Sequence, residues 1–184
     1  EDGHAGIAAD WPLNAVNGFA AAALADLGAD FVWASPELSG RQLALLVAAS
    51  PVPVGCVVWG RLELMVAEQC VLQAAGACSR RCTACSRRSG WWHLRDRKSY
   101  EFPVTTDPSG RSHIVNAVTL DLVRALPEIV DAGVAAVRLE FTDESPARAA
   151  EVVRAVTGAV AAVSVGGDAP ARALVEPSTS GHFF

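Results

Sequence analysis

Four of the five cysteines, Cys70, Cys78, Cys82 and Cys85, fall within sixteen residues in the spacing C-x7-C-x3-C-x2-C. Thiolates two to four residues apart reach a common point through a tight turn, and four of them complete the coordination of one metal centre. Zinc and an iron–sulfur cluster both accept four thiolates, and the spacing leaves the two open. The fifth thiol, Cys56, lies inside the apolar run VGCVVW and reads as a buried strand residue. Glu63 and Glu68 are the carboxylates nearest the cysteines, which makes them candidate general acid–base groups.

The overlapping segment 80–98 carries seven of the fifteen basic residues: Arg80, Arg81, Arg87, Arg88, Arg95, Arg97 and Lys98. Between 80 and 98 only Asp96 opposes them, and Trp91 and Trp92 stand among them. A formal net charge of −5 argues against a general polyanion-binding protein, so this loop predicts a local anionic contact. Guanidinium groups suit planar contacts to phosphate, and indole faces stack on bases. Arg87, Arg88, Trp91, Arg95, Arg97 and Lys98 are therefore candidate substrate-binding residues. The competing reading is a solvated hairpin whose tryptophans pack on the framework.

Hydrolytic machinery is not visible. There is no G-x-S-x-G and no H-E-x-x-H, and the histidines at 4, 93, 113 and 182 are scattered. The first residues are polar, with no basic segment followed by an apolar one, so no signal peptide is expected. No run approaches the ~20 apolar residues that span a bilayer. A cytoplasmic location, where clustered thiols bind metal or do redox work, is the resulting expectation. The chain begins at Glu1 and its one methionine is Met65, which suggests a fragment of a longer protein.

The elements that must position these residues alternate. IAAD before Trp11 reads as a strand, and NGFAAAALADLG as a capped helix ended by Gly28. A second strand is expected over 31–34, a helix capped by Ser39 over 39–49, and a third strand over 54–59. Strand and helix alternating at this spacing predict parallel βαβ units. Residues 63–73 fit either a strand or the start of a helix. A hairpin is expected over 91–105 with its turn at 96–99, then a strand at 113–118 and a helix over 120–132. A strand over 135–141 and a helix over 145–160 follow, and the segment from 164 reads as a tail or linker. The organisation expected is thus βα units over 1–62, a cysteine-rich insertion and hairpin over 63–112, closing βα units over 113–163, and the tail.

The blocks GRLELMVAEQC, LRDRKSYEFPVTTD and RSHIVNAVTLDL resemble peptidase family U32, the collagenase-like proteases. ADWPLNAVN, GADFVWASPELSGRQL, VAAVRLEFTDESPARAAEV and the closing SGHFF extend the likeness over nearly the whole chain. The resemblance implies an α/β fold, a partial (β/α)8 TIM-type barrel made of the later strands, with a cysteine-containing insertion and a β-hairpin. The missing first half of the barrel would then be a partner. Family members carry a peptidase label, and several are linked instead to oxygen-independent hydroxylation of RNA or a quinone precursor with a 4Fe–4S cluster held by four cysteines. Substrates are accordingly protein, peptide or RNA. By resemblance Cys70, Cys78 and Cys82 correspond to three cluster ligands. The fourth is expected near Gly110 or Ser112, where this chain has no cysteine, and Cys85 is the substitute at hand. The marked block also brings in His113 as a candidate catalytic residue and Asn116 as a candidate substrate contact. A third reading is a non-catalytic, truncated copy.

Overall fold

A computed structural model describes residues 6–184 except 77, 79, 80 and 89, and leaves the side chain of residue 84 aside. His4 and Arg80, named above, lie outside the described residues. The chain divides into two compact units. One comprises 1–60, 120–140 and 145–184, the other 61–119 and 141–144.

In chain order the elements are strand β1 (Ala8–Ala9), helix α1 (Gly18–Asp26), β2 (Phe31–Trp33), α2 (Gly40–Ala49), β3 (Val54–Gly60), β4 (Glu63–Ala67) and α3 (Val71–Ala74). They continue through β5 (Trp92–Arg95), β6 (Glu101–Thr106), β7 (Ser112–Val115), β8 (Thr119–Asp121), α4 (Leu126–Asp131), β9 (Ala136–Glu140), α5 (Pro146–Ser164) and β10 (Ser178–Thr179).

The first unit is built on parallel pairing of β1 with β2, β2 with β3 and β3 with β9. Val32 pairs with both Ala9 and Val54, and Gly55 with both Trp33 and Ala136, so these four strands succeed one another across the sheet without reversal. Right-handed crossovers taken in one direction put every connecting helix on one face. The packing agrees: α1 lies against α2, α2 against α4, and α4 against α5. Beneath them Ala9, Val32, Val54 and Cys56 share the inward register of alternate strand positions. All of β3 is buried, as befits a continuous apolar strand in a parallel sheet. This is a mixed α/β unit, a parallel sheet with its connecting helices.

Local chemistry sets the helix limits. Asn17 accepts the Ala20 N–H, and Ser39 forms a capping box with Gln42. Ser145 caps α5 with Pro146 in its first turn. The expected helix over 120–132 begins later than its periodicity suggests. Leu120 is in β8, antiparallel to the end of β3, and the helix proper starts at Leu126. The expected tail is packed, not free. Gly40 N–H donates to Phe183 O, Leu174 N–H to Asp121, and Arg148 to Leu174 O, with the Phe183 ring buried.

The face of the sheet opposite the helices is polar and aromatic. Arg138 sits 5.5 Å from the centre of the Trp33 ring and pairs with Asp10 and with Glu140, the latter at 2.6 Å. Gly55 lets Trp33 lie flat here, because a Cβ would come within 2.6 Å of its ring.

The second unit is a four-stranded antiparallel sheet in the order β4-β7-β6-β5, with α3 and the cysteine loop between β4 and β5. The ambiguous stretch 63–73 resolves into both alternatives, β4 followed by α3. The strand expected at 113–118 is the central strand β7, so it belongs with the cysteine-bearing unit and not with the closing βα units. The hairpin turn is held by the Asp96 carboxylate, which accepts from the Lys98 and Tyr100 N–H groups.

Candidate functional site

Strand register decides which residues share a face of the second sheet. Val104 pairs with Ile114 and Thr106 with Ser112, while Thr105 pairs with His113. Alternation therefore puts Val104, Thr106, Ser112 and Ile114 on one face and His113 on the other. Ser112 is fully buried and its hydroxyl accepts the Val71 N–H at 2.9 Å, which seats the start of α3, and with it Cys70, on the first face.

On that face Cys70, Cys78, Cys82 and Cys85 line one cavity of about 150 Å³, together with Leu72, Gln73, Arg81, Arg88, Thr106 and Gly110. Cys70 and Cys85 are half-buried, and Cys78 and Cys82 are exposed. The Arg88 Nη1 donates to Cys82 O at 2.6 Å and to Pro108 O at 3.1 Å, tying the cysteine turn to the turn at 107–111. Gly110, at φ +88°, faces the same sulfur: a Cβ built there would stand 3.5 Å from Cys82 Sγ. Cys56 is apart from this group. Burial in β3 pushes its thiol up to about 12, so it is inert.

Among the described residues no three His, Cys, Asp or Glu side chains stand close enough together to hold a metal ion. Four thiolates on zinc, each about 2.3 Å from the ion, would lie roughly 3.8 Å from one another. A polynuclear cluster separates its thiolates further. In donor type, thiols around one cavity match what such a cluster takes. A second observation belongs to a residue of the same lining: Thr106 Oγ1 is buried and, among the described residues, has no hydrogen-bond partner.

The opposite face holds a different construction. Between Glu63 and Met65 the pairing of β4 with β7 slips by one residue, a bulge that turns Glu63 onto the His113 side. His113 Nδ1 meets Glu63 Oε2 at 2.6 Å, and Nε2 meets Asp107 Oδ2 at 3.5 Å. Asp107 in turn accepts the Arg111 Nε at 2.7 Å and the Ser109 and Arg111 N–H groups. The hydrogen bond to Glu63 raises the His113 pKa against the opposing effect of burial, and Asp107 adds to the rise. For Asp107 burial acts upward, but the hydrogen bonds from Arg111 and His113 outweigh it and bring the carboxyl down to about 2. Carboxylates beside both nitrogens favour the imidazolium form. It has no lone pair with which to take a proton from a nucleophile. Glu68 is exposed, and its charge acts on Arg111.

The basic residues are used unequally. Arg95 is paired with Glu101 across the hairpin, and Trp92 Nε1 donates to Arg87 O at 3.0 Å, so both serve the loop's own structure. Asn116 accepts from Val118 N–H and donates its own N–H to Leu62 O, closing the strand ends. The side chain of Arg87 is exposed, as are Trp91 and, at the hairpin turn, Arg97 and Lys98. Nothing in the local pattern marked Thr106, because threonine in a strand is ordinary. The clamp of Asp107 and Arg111 had a weak signal in the turn-forming run DPSGR.

Among the described residues no helix is long and apolar enough to cross a membrane. No curated protein matches the chain. The family model of peptidase family U32 matches residues 4–177 of the 184, and on that ground the chain belongs to peptidase family U32.

Proposed function

We propose that this chain is the thiolate-bearing part of a redox protein that modifies RNA, with an iron–sulfur cluster held by Cys70, Cys78, Cys82 and Cys85. The observation that carries the reading is the gathering of four thiols, two guanidinium groups and an unpartnered hydroxyl around one cavity. When bound, the cluster supplies one-electron chemistry. Arg81 and Arg88 offset the negative charge of a thiolate-bound group, and the tie from Arg88 to Cys82 O orders the turn that presents the thiols. Trp91, Arg97, Lys98 and Arg87, exposed in the same unit, suit a single-stranded nucleic acid through stacking and phosphate contacts. The single winding of the parallel sheet supports its reading as part of a barrel wall.

Peptide hydrolysis, which the family label suggests, finds less support. The imidazole best placed for acid–base work is clamped on both sides by Glu63 and Asp107, so Glu63 and His113 read as a brace and not as a base with its nucleophile, and the exposed Glu68 acts on Arg111. Zinc is the alternative occupant.

The test is anaerobic reconstitution with iron and sulfide, followed by iron, sulfide and zinc analysis and an RNA-binding titration at two salt concentrations. Iron and sulfide in near-equal amounts, absent from a Cys70→Ser/Cys82→Ser double variant, is the expected result, with RNA affinity falling as salt rises. Zinc without sulfide, or no metal at all, removes the reading.

A further inference from the structure

Thr106 ends β6 with 6 % of its surface exposed, and its Oγ1 is buried without a partner among the described residues. A buried hydroxyl left unpaired is costly, and native structures seldom keep one without a use. The contrast with its cross-strand neighbour is direct. Ser112 is buried more deeply still, yet its hydroxyl is satisfied by the Val71 N–H at 2.9 Å. The fold therefore has means to satisfy a hydroxyl on this face and does not apply them to Thr106. Thr106 lines the thiol cavity together with the four cysteines and Gly110, where a Cβ would stand 3.5 Å from Cys82 Sγ.

We infer that Thr106 is a tuning donor: its hydroxyl hydrogen-bonds a sulfur of the group held by the cysteines, either a thiolate or a bridging sulfide. The inference rests on the cluster reading given under Proposed function. Sulfur in such a group is electron-rich, accepts hydrogen bonds and offers none, and the cavity presents no other unpartnered buried hydroxyl among its described residues. A donor to that sulfur stabilises the reduced, more negative state over the oxidised one, and so raises the midpoint potential. In the metal-free chain the same hydroxyl contributes nothing. The two states thus respond oppositely to its removal.

The experiment compares the full chain with Thr106→Val, which keeps the shape and deletes the hydroxyl, and Thr106→Ser, which keeps the hydroxyl. Each is melted metal-free. Each is also reconstituted anaerobically with iron and sulfide, analysed for both, and titrated by spectroelectrochemistry. Thr106→Val is expected to melt at or above the wild-type temperature without metal. When loaded, it is expected to show a more negative midpoint potential and to lose its cluster several-fold faster to a chelator, with Thr106→Ser restored toward wild type. A loaded Thr106→Val with the wild-type potential and the wild-type rate of loss overturns the inference while leaving the cluster reading in place. Wild-type protein that takes up neither iron nor sulfide overturns both.

Discussion

The carboxylates beside His113 favour its cationic form, and that has a pH signature. Glu63 and Asp107 raise its folded-state pKa above the usual 6.5. The brace therefore contributes its full stability below about pH 6.5 and loses it as pH rises through the raised value. Asp107 behaves in the opposite sense. Its contribution is present above the ordinary 3.8 and disappears as pH falls through about 2. Glu63→Gln removes the largest cause of the His113 shift, so the imidazole titration followed by NMR should move down toward 6.5, and an unmoved midpoint would refute the clamp. Arg88 is the other residue whose role can be isolated. Its bonds to Cys82 O and Pro108 O order the thiol turn, so Arg88→Ala should raise the alkylation rates of Cys82 and Cys85 roughly several-fold by freeing local opening. Equal rates in both proteins would mean that the turn is ordered without it.

Elements place these residues through register and backbone permission. One bulge in β4 sends Glu63 to the His113 face, and without it Glu63 would share a face with Met65 beside Ile114. The exit from β3 depends equally on one residue. Gly60 has φ +131°, and a Cβ there would lie 2.2 Å from the Glu140 carbonyl oxygen, on the strand that pairs with β3 along most of its length. Gly60→Ala is expected to cost about 3 kcal/mol or more in urea unfolding, because both the conformation and the close approach exclude a side chain. Ser39→Ala should cost only about 1 kcal/mol, the worth of a capping interaction at an exposed helix start. Similar losses for the two variants would contradict this account of the β3 exit.

At the scale of the whole molecule the two units differ in how much core they own. The first buries Val32, Leu46, Val54, Val58, Leu126, Ile129, Val152 and Val156 between its sheet and its helices. The second has chiefly Leu72, Val104, Ile114 and Val115. A unit that small, with so few buried apolar side chains, gains most from a staple, and the cluster proposed above would supply one. Binding to the folded form alone stabilises it by mass action. Calorimetry of the metal-free chain should therefore resolve a lower-temperature transition for the cysteine-bearing unit, and anaerobic loading with iron and sulfide should raise that transition without moving the other. A single transition, unchanged by loading, would show that the thiols hold nothing that matters to the fold.

The sequence by itself determined the features that depend on near neighbours: parallel βα units from alternating apolar runs, helix starts at Asn17, Ser39 and Ser145, the hairpin turned at Asp96, and the cysteine spacing. The blocks that mark peptidase family U32 were legible for the same reason, being contiguous. What only the tertiary structure decided comes from contacts distant in sequence. The β4 bulge joins Glu63 to His113 across 50 residues, and the pairing of β6 with β7 puts the imidazole on one face and Thr106 with the thiol cavity on the other. Arg88 and Arg95 read alike as free cations in the loop, yet one is bound to carbonyls and the other to Glu101. A side chain's partners are set by strand register and by the path of the returning chain, and neither is written in local propensity.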